Sequence, residues 1–260
     1  MSIAAEVPTA PPPPSRAELL AARAKQRVRL LVGRDDREHG RVRRRLANKF
    51  LTGTGVEIGA LHMPLQVPKD VTVRYVDRMS VAGLRAHYPE LRTCALVDPD
   101  VIDDGERLGT LEAASQDFVI ANHFIEHTED PIGTLANHLR VLRPGGVIYM
   151  AVPDKRFTFD RDRPVTELSH LLRDHEEGPA WSRRGHFEEC ARIIERTPED
   201  EVAARAAELD AEDFSIHFHT WTPGSFLTML VHARDALGFG FDIEALERQG
   251  HEFIVILRRT

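Results

Sequence analysis

Between residues 55 and 153 short apolar runs alternate with helix-patterned segments, and this alternation constrains the fold more than any other feature of the chain. GVEIGA, VTVRYVD, CALVDPDVI, DFVIANHF and GGVIYMAVP read as five strands in succession. Between the fourth and the fifth, Pro131 to Leu142 carries Ile132, Leu135, Leu139 and Leu142 at helical spacing and stops at RPGG. Strands separated by helices predict a parallel sheet covered by helices on both faces.

The flanks break that rhythm. Residues 1–14, ending in four prolines, are expected to form a Pro-rich disordered tail, and residues 15–50, rich in Arg and Ala, a helical extension. Residues 51–260 then form the main domain, in which a stretch from 155 to about 213 is too long for a simple crossover and is read as a cap over the sheet's C-terminal edge. A helix from Gly224 to Leu237 follows, then GFGFDIEAL and EFIVILRR, joined through Gln249 and Gly250 as a closing hairpin.

Bulk properties exclude more than they assign. At 260 residues with a net charge of -7 the chain suits one sizeable α/β domain with additions and is a poor general nucleic-acid binder. Cys94 and Cys190 lie far apart without CxxC spacing, so neither a disulfide framework nor a thiolate zinc site is expected. No basic start with an apolar region follows Met1, and no apolar run approaches the roughly 20 residues that span a bilayer, which predicts a cytoplasmic protein.

The first strand runs into the loop GALHMP, residues 59–64, and that loop decides which ligand to expect. Ligands of such sheets bind beyond the carboxyl ends of the strands, where Gly59 lets the backbone come close. Asp77 closes the second strand about 20 residues after Glu57, a position suited to accepting hydrogen bonds from ribose hydroxyls. A pyrophosphate needs a glycine-rich cradle, and GALHMP lacks it. A nucleoside carrying an amino acid and a sulfonium needs none, and Glu57 suits such a cation directly or through neighbouring amides.

VEIGA, YVD, DFVIANHFIEH and LRVLRPGGVIYMAVP, in this order, resemble the motifs of class I S-adenosylmethionine-dependent methyltransferases over residues 53–153 and the closing hairpin. The family's usual ExGxGxG departs here to ExGALHMP. The resemblance implies a Rossmann-like, mostly parallel seven-stranded sheet with an antiparallel C-terminal hairpin, and S-adenosyl-L-methionine as cofactor. It places Glu57 and Gly59 at the methionine moiety, Asp77 at the ribose, Asp103 or Asp104 near the adenine, and Asn122 and His123 across the far side. The cap also resembles actinobacterial sugar O-methyltransferases of the methylmannose polysaccharide type, which implies methylation of a sugar hydroxyl in polysaccharide biosynthesis. Another small-molecule acceptor, and a catalytically inactive nucleoside-binding regulatory protein, are the rival expectations.

A neutral hydroxyl needs a base or a metal to become a nucleophile. The candidates are Asp154, directly after the fifth strand, and His217 with His219, which alternate in SIHFHTW and are expected to share one face. A solvated strand face is the competing reading of that pair, and a helix-surface pair that of His170 and Asp174. Without thiolates an oxygen-rich Mg2+ site is the metal to expect, if one is used. The partners expected are a small-molecule or oligosaccharide acceptor and at most a second copy in a homodimer, with no nucleic acid and no membrane.

Overall fold

The computed structural model describes residues 36–88 and 91–260, so the Pro-rich tail and most of the N-terminal extension lie outside the described residues. Helix α1 (Asp36–Phe50) leads into β1 (Thr54–Ile58) and β2 (Thr72–Asp77), then α2 (Val81–His87), β3 (Val101–Ile102), β4 (Gln116–Asn122), α3 (Pro131–Val141) and β5 (Leu142–Pro153). The cap follows with α4 (Leu168–Glu177), α5 (Ala180–Glu189) and α6 (Val202–Ala211), after which α7 (Pro223–Asp235), β6 (Phe241–Gln249) and β7 (Glu252–Arg259) complete the chain.

The seven strands lie in the order β3-β2-β1-β4-β5-β7-β6. Strands β1 to β5 run parallel, and β7 pairs antiparallel with both β5 and β6. Successive β5 residues point to opposite faces, and both faces are buried: Ile148, Met150 and Val152 join one apolar cluster, Val147, Tyr149 and Ala151 the other. Helices α3 and α7 contribute Leu135, Leu139, Phe226 and Met229 to the first cluster, and α1 contributes Leu46, Ala47 and Phe50 to the second. The doubly covered parallel sheet and the antiparallel hairpin are therefore as the sequence implies.

Local signals fix the helix starts. Asp130 accepts a hydrogen bond from Gly133 N at 2.8 Å with Pro131 in the first turn of α3, and Thr222 and Ser225 form a reciprocal capping box ahead of α7. One sequence expectation needs correction. CALVDPDVI yields only Val101–Ile102 as a strand, because Asp100 caps the edge of β2 through Tyr75 N before pairing begins. The crossover between β1 and β2, residues 59–71, holds no helix; it is an extended loop interrupted by Pro64 and Pro68.

The cap has its own small core of Phe187, Cys190, Ala191, Val202, Ala206, Leu209, Ile216 and Phe218. It is built from α5, a π-helical turn over Cys190–Ile194, α6 and the segment leading to Trp221. No helix among the described residues is long and apolar enough to cross a membrane.

Candidate functional site

The carboxyl ends of β1, β2, β3 and β4 form one edge. Gly59 N donates to Val76 O at 2.9 Å and Asp103 N to Asp77 O at 3.0 Å, which sets Gly59, Asp77 and Asp103 side by side. Gly59 has φ +61, and a Cβ built on it meets nothing within 4 Å, so the backbone here is open to a ligand. Asp77 makes one long bond, from Met79 N at 3.4 Å, and burial raises its pKa against the pull of the Met79 and Arg78 amides.

The other acids are occupied. Asp103 accepts from Asp104 N, Thr110 N and Thr110 Oγ1 at 2.6 to 2.8 Å and so shapes the loop 103–110, whereas Asp104 is exposed and accepts from Glu106 N. That loop folds tightly over β1, because a Cβ on Gly105 would come within 2.6 Å of Ile58 and 2.7 Å of Phe124. Glu57 is buried and both its oxygens accept from Leu65 N, at 2.9 and 3.1 Å, so it ties the 59–71 loop in place. Burial pushes its pKa up to about 7, opposed by Leu65 N–H and the Arg43 guanidinium. Asn122 Oδ1 accepts from Ala151 N at 3.1 Å, and its buried Nδ2 has no partner.

Residues 40–150, from within α1 into β5, match the family model described as a methyltransferase domain. The chain thus carries a methyltransferase domain over these residues. Its strand order and closing antiparallel β7 are those of the class I fold. The chain is similar to a SAM-dependent methyltransferase from Aquifex aeolicus, at 11% identity over 92% of this chain and 98% of that one with a TM-score of 0.46. It is similar to a putative S-adenosyl-L-methionine-dependent methyltransferase from Methanococcus maripaludis, at 13% identity over 94% and 92% with a TM-score of 0.45. A Rhodobacter sphaeroides structure described as putative Zn-dependent alcohol dehydrogenases shares the fold, at 14% identity over 86% and 89% with a TM-score of 0.50. No curated protein matches the chain.

The edge fits the cofactor that the class implies. Asp77 offers free acceptor capacity for two ribose hydroxyls, Gly59 an open backbone, and Asn122 Nδ2 an unused buried donor. S-adenosylmethionine supplies a methyl group made electrophilic by its sulfonium. Everything else must come from the chain.

Beyond β4 the chain gathers a second, acid-and-imidazole constellation. A 3-10 turn over Ile125–His127 carries Glu126, and the segment 215–221 returns to it: Phe218 N and His219 N donate to Glu126 O at 2.7 and 3.3 Å. His217 Nδ1 lies 2.7 Å from Asp160 Oδ2, whose other oxygen accepts from Arg163 Nη1 at 2.9 Å. Burial alone would raise the Asp160 pKa, but His217 and Arg163 hold it down to about 2. An ionised carboxylate only accepts, so His217 donates to it from Nδ1, and Nε2 is the ring nitrogen outside that pair. That Nε2 is 4.0 Å from Glu126 Oε1, and both Glu126 oxygens are buried without a hydrogen-bond partner. His127 donates from Nδ1 to Ile216 O at 2.8 Å, and burial beside His217 pushes its pKa down to about 4.

Asp154, His217 and His219 do not converge. The Asp154 carboxylate is fully buried and accepts from Arg156 N, Nε and Nη2 at 3.2, 2.9 and 2.6 Å, which closes the turn after β5. His217 and His219 enter two different clusters, because residues 215–220 are not a strand and Phe218 turns into the cap core. Glu126, His186 and Glu252 escaped the sequence reading, although Glu126 lies inside the DFVIANHFIEH motif. Asp160 belongs to the run Asp160–Arg163, which by sequence alone reads as a loop ion-pair cluster sooner than as a site.

His123, at the far side of the edge, is held between two carboxylates. Its Nε2 is 2.8 Å from Glu252 Oε2 and its Nδ1 3.5 Å from Glu126 Oε1, while Arg43 of α1 binds Glu252 at 2.8 and 2.6 Å and the His251 ring lies 6.1 Å away. Burial pulls the His123 pKa down, but the two carboxylates outweigh it and raise it to about 9. Raised above 6.5, the group contributes stability that is complete below pH 6.5 and is lost as pH climbs through 9. With the ring 34% exposed, solvent screening reduces the full linkage of about 3 kcal/mol to roughly 1. Thermal melts should therefore show a falling Tm from pH 7 to 9.5, and His123→Gln should flatten that slope; an equal slope in the variant would assign it to another group.

Proposed function

We propose that the enzyme is an O-methyltransferase acting on a hydroxyl of a sugar or oligosaccharide, with His217 as the base. The observation that carries this reading is the His217–Asp160 pair, whose second ring nitrogen, Nε2, lies 4.0 Å from the buried carboxylate of Glu126. A hydroxyl entering between them donates its proton to Nε2. The acceptor oxygen bonds to the methyl carbon as the carbon–sulfur bond breaks, and a neutral thioether leaves. Asp160 keeps the imidazole in the competent tautomer and stabilises the imidazolium that forms.

The surroundings support a carbohydrate. His123, Glu126, His127 and His217 supply donors and acceptors on one side, and the partly exposed Phe159 ring lies 4.6 Å from the His217 ring as a flat wall for the apolar face of a pyranose. Within the cofactor site we assign Asp77 to the ribose, Gly59 to the methionine end and Asp104 to the adenine side, with Glu57 and Asp103 shaping the loops and Asn122 and His123 closing the far side. Labelled S-adenosylmethionine offered with manno-oligosaccharides, phenols and amines tests the reading. Transfer to the oligosaccharides is expected. Transfer only to phenols or amines would end the sugar assignment, and S-adenosylhomocysteine binding without turnover on any acceptor would make the protein a nucleoside-binding regulator.

A further inference from the structure

The cap contains a second cluster that methyl transfer does not use. His170 and Asp174 of α4, His186 of α5 and His219 of the returning segment bring one ligand atom each to within 4.8 Å of one another. His170 Nε2 is 3.1 Å from His186 Nε2 and 3.1 Å from Asp174 Oδ2, and His219 Nε2 is 3.7 Å from Asp174 Oδ2. We propose that these four side chains bind a divalent ion of the Zn2+, Co2+ or Ni2+ class and thereby pin α4 and α5 to the segment that carries His217.

The spacing suits the ion. Metal–nitrogen bonds of about 2.0–2.1 Å in a tetrahedron place neighbouring ligand atoms about 3.4 Å apart, and the contacts here bracket that value. Hydrogen bonding alone leaves the cluster incomplete: Asp174 Oδ2 is fully buried and has no hydrogen-bond partner. Its Oδ1 accepts from Ser182 Oγ at 2.6 Å, which turns the other oxygen toward the imidazoles as an outer-shell partner would. His219 is fully buried and His186 nearly so.

Three nitrogens and one carboxylate make a donor set of intermediate softness, which prefers late first-row divalent ions to Mg2+. An entry route exists as well. A cavity of about 430 Å³ is lined by Thr166, His170, Trp181, His186 and Phe218, so two of the four ligands face it. The cluster is assembled from residues 170 to 219 and is independent of the acceptor chosen above.

The test uses the full chain, stripped with a chelator and titrated with Co2+ as an optical probe. One equivalent per chain is expected, with visible bands of four-coordinate intensity that Zn2+ abolishes and Mg2+ leaves unchanged. His170→Gln, at the most exposed of the four positions, and Asp174→Asn should each weaken Co2+ binding by at least about tenfold. His62→Ala, on an exposed loop, should not. Wild-type protein that shows no saturable single-equivalent binding overturns the proposal, and so does unchanged affinity in His170→Gln, whose folding is checked by its melting curve.

Discussion

His217→Ala is expected to slow methyl transfer by roughly 10²–10⁴-fold, the contribution of a positioned base to proton removal from a neutral acceptor. The loss should fall on kcat, and the dissociation constant of S-adenosylhomocysteine should stay close to wild type, because His217 lies in the constellation beyond β4 and contacts neither Asp77 nor Gly59. Asp160→Asn should lower kcat in the same direction and by less. Its amide can present NH2 to Nδ1, which shifts the imidazole proton to Nε2 and removes the lone pair the hydroxyl needs. The two variants together separate a base from a packing residue. A merely structural His217 would lower the melting temperature and leave the rate per folded molecule unchanged, and it would be indifferent to the tautomer that Asp160 selects. Wild-type rates from His217→Ala on every acceptor that turns over would place the base elsewhere.

What the sequence makes legible follows from which forces are local. Strands β1, β4 and β5 are apolar runs bounded by turns because the sheet is buried on both faces there, so each strand announces itself. Strand β2 shows instead by the alternation in VTVRYVD, with Thr72 and Arg74 exposed and Val76 buried. The third strand is harder, since Cys94 to Val97 are apolar enough to resemble a strand while Asp98, Pro99 and Asp100 force a turn before Val101. The loop between β1 and β2 is read from Pro64, while the buried Glu57 that holds it through Leu65 shows only in the packing.

The constellation proposed as catalytic is less legible because its partners are remote in sequence. His217 and Asp160 are 57 residues apart, and the pairing depends on how the cap folds over the 125–127 turn, which no periodicity records. Period-two alternation put His217 and His219 on one face, but Phe218 is drawn into the cap core beside Phe187, and the two imidazoles diverge. His170 and Asp174 do lie four apart on one face of α4, as read; that face is covered by Ser182, His186 and His219 and so is not a solvent face. Local spacing identified the pair, and only packing shows what covers it.

Asp77→Ala should weaken cofactor binding by about 1.5–3 kcal/mol, a factor of roughly 10 to 150 in the dissociation constant, because hydrogen bonds to an ionised acceptor are the strong ones. The fold should survive the change, since the carboxylate makes only one long contact, to Met79 N at 3.4 Å. Asp103→Ala is the informative contrast on the same edge. Its carboxylate already holds Thr110 and the Asp104 amide, so removing it should loosen the 103–110 loop and lower the melting temperature, with a smaller effect on affinity. Asp77→Asn keeps one acceptor oxygen and loses the charge, which should place it between wild type and Asp77→Ala. Calorimetry with S-adenosylhomocysteine reads all three. If Asp77→Ala binds as tightly as wild type while Asp103→Ala does not, the ribose lies against the third strand instead of the second, and the open backbone at Gly59 must serve another part of the ligand.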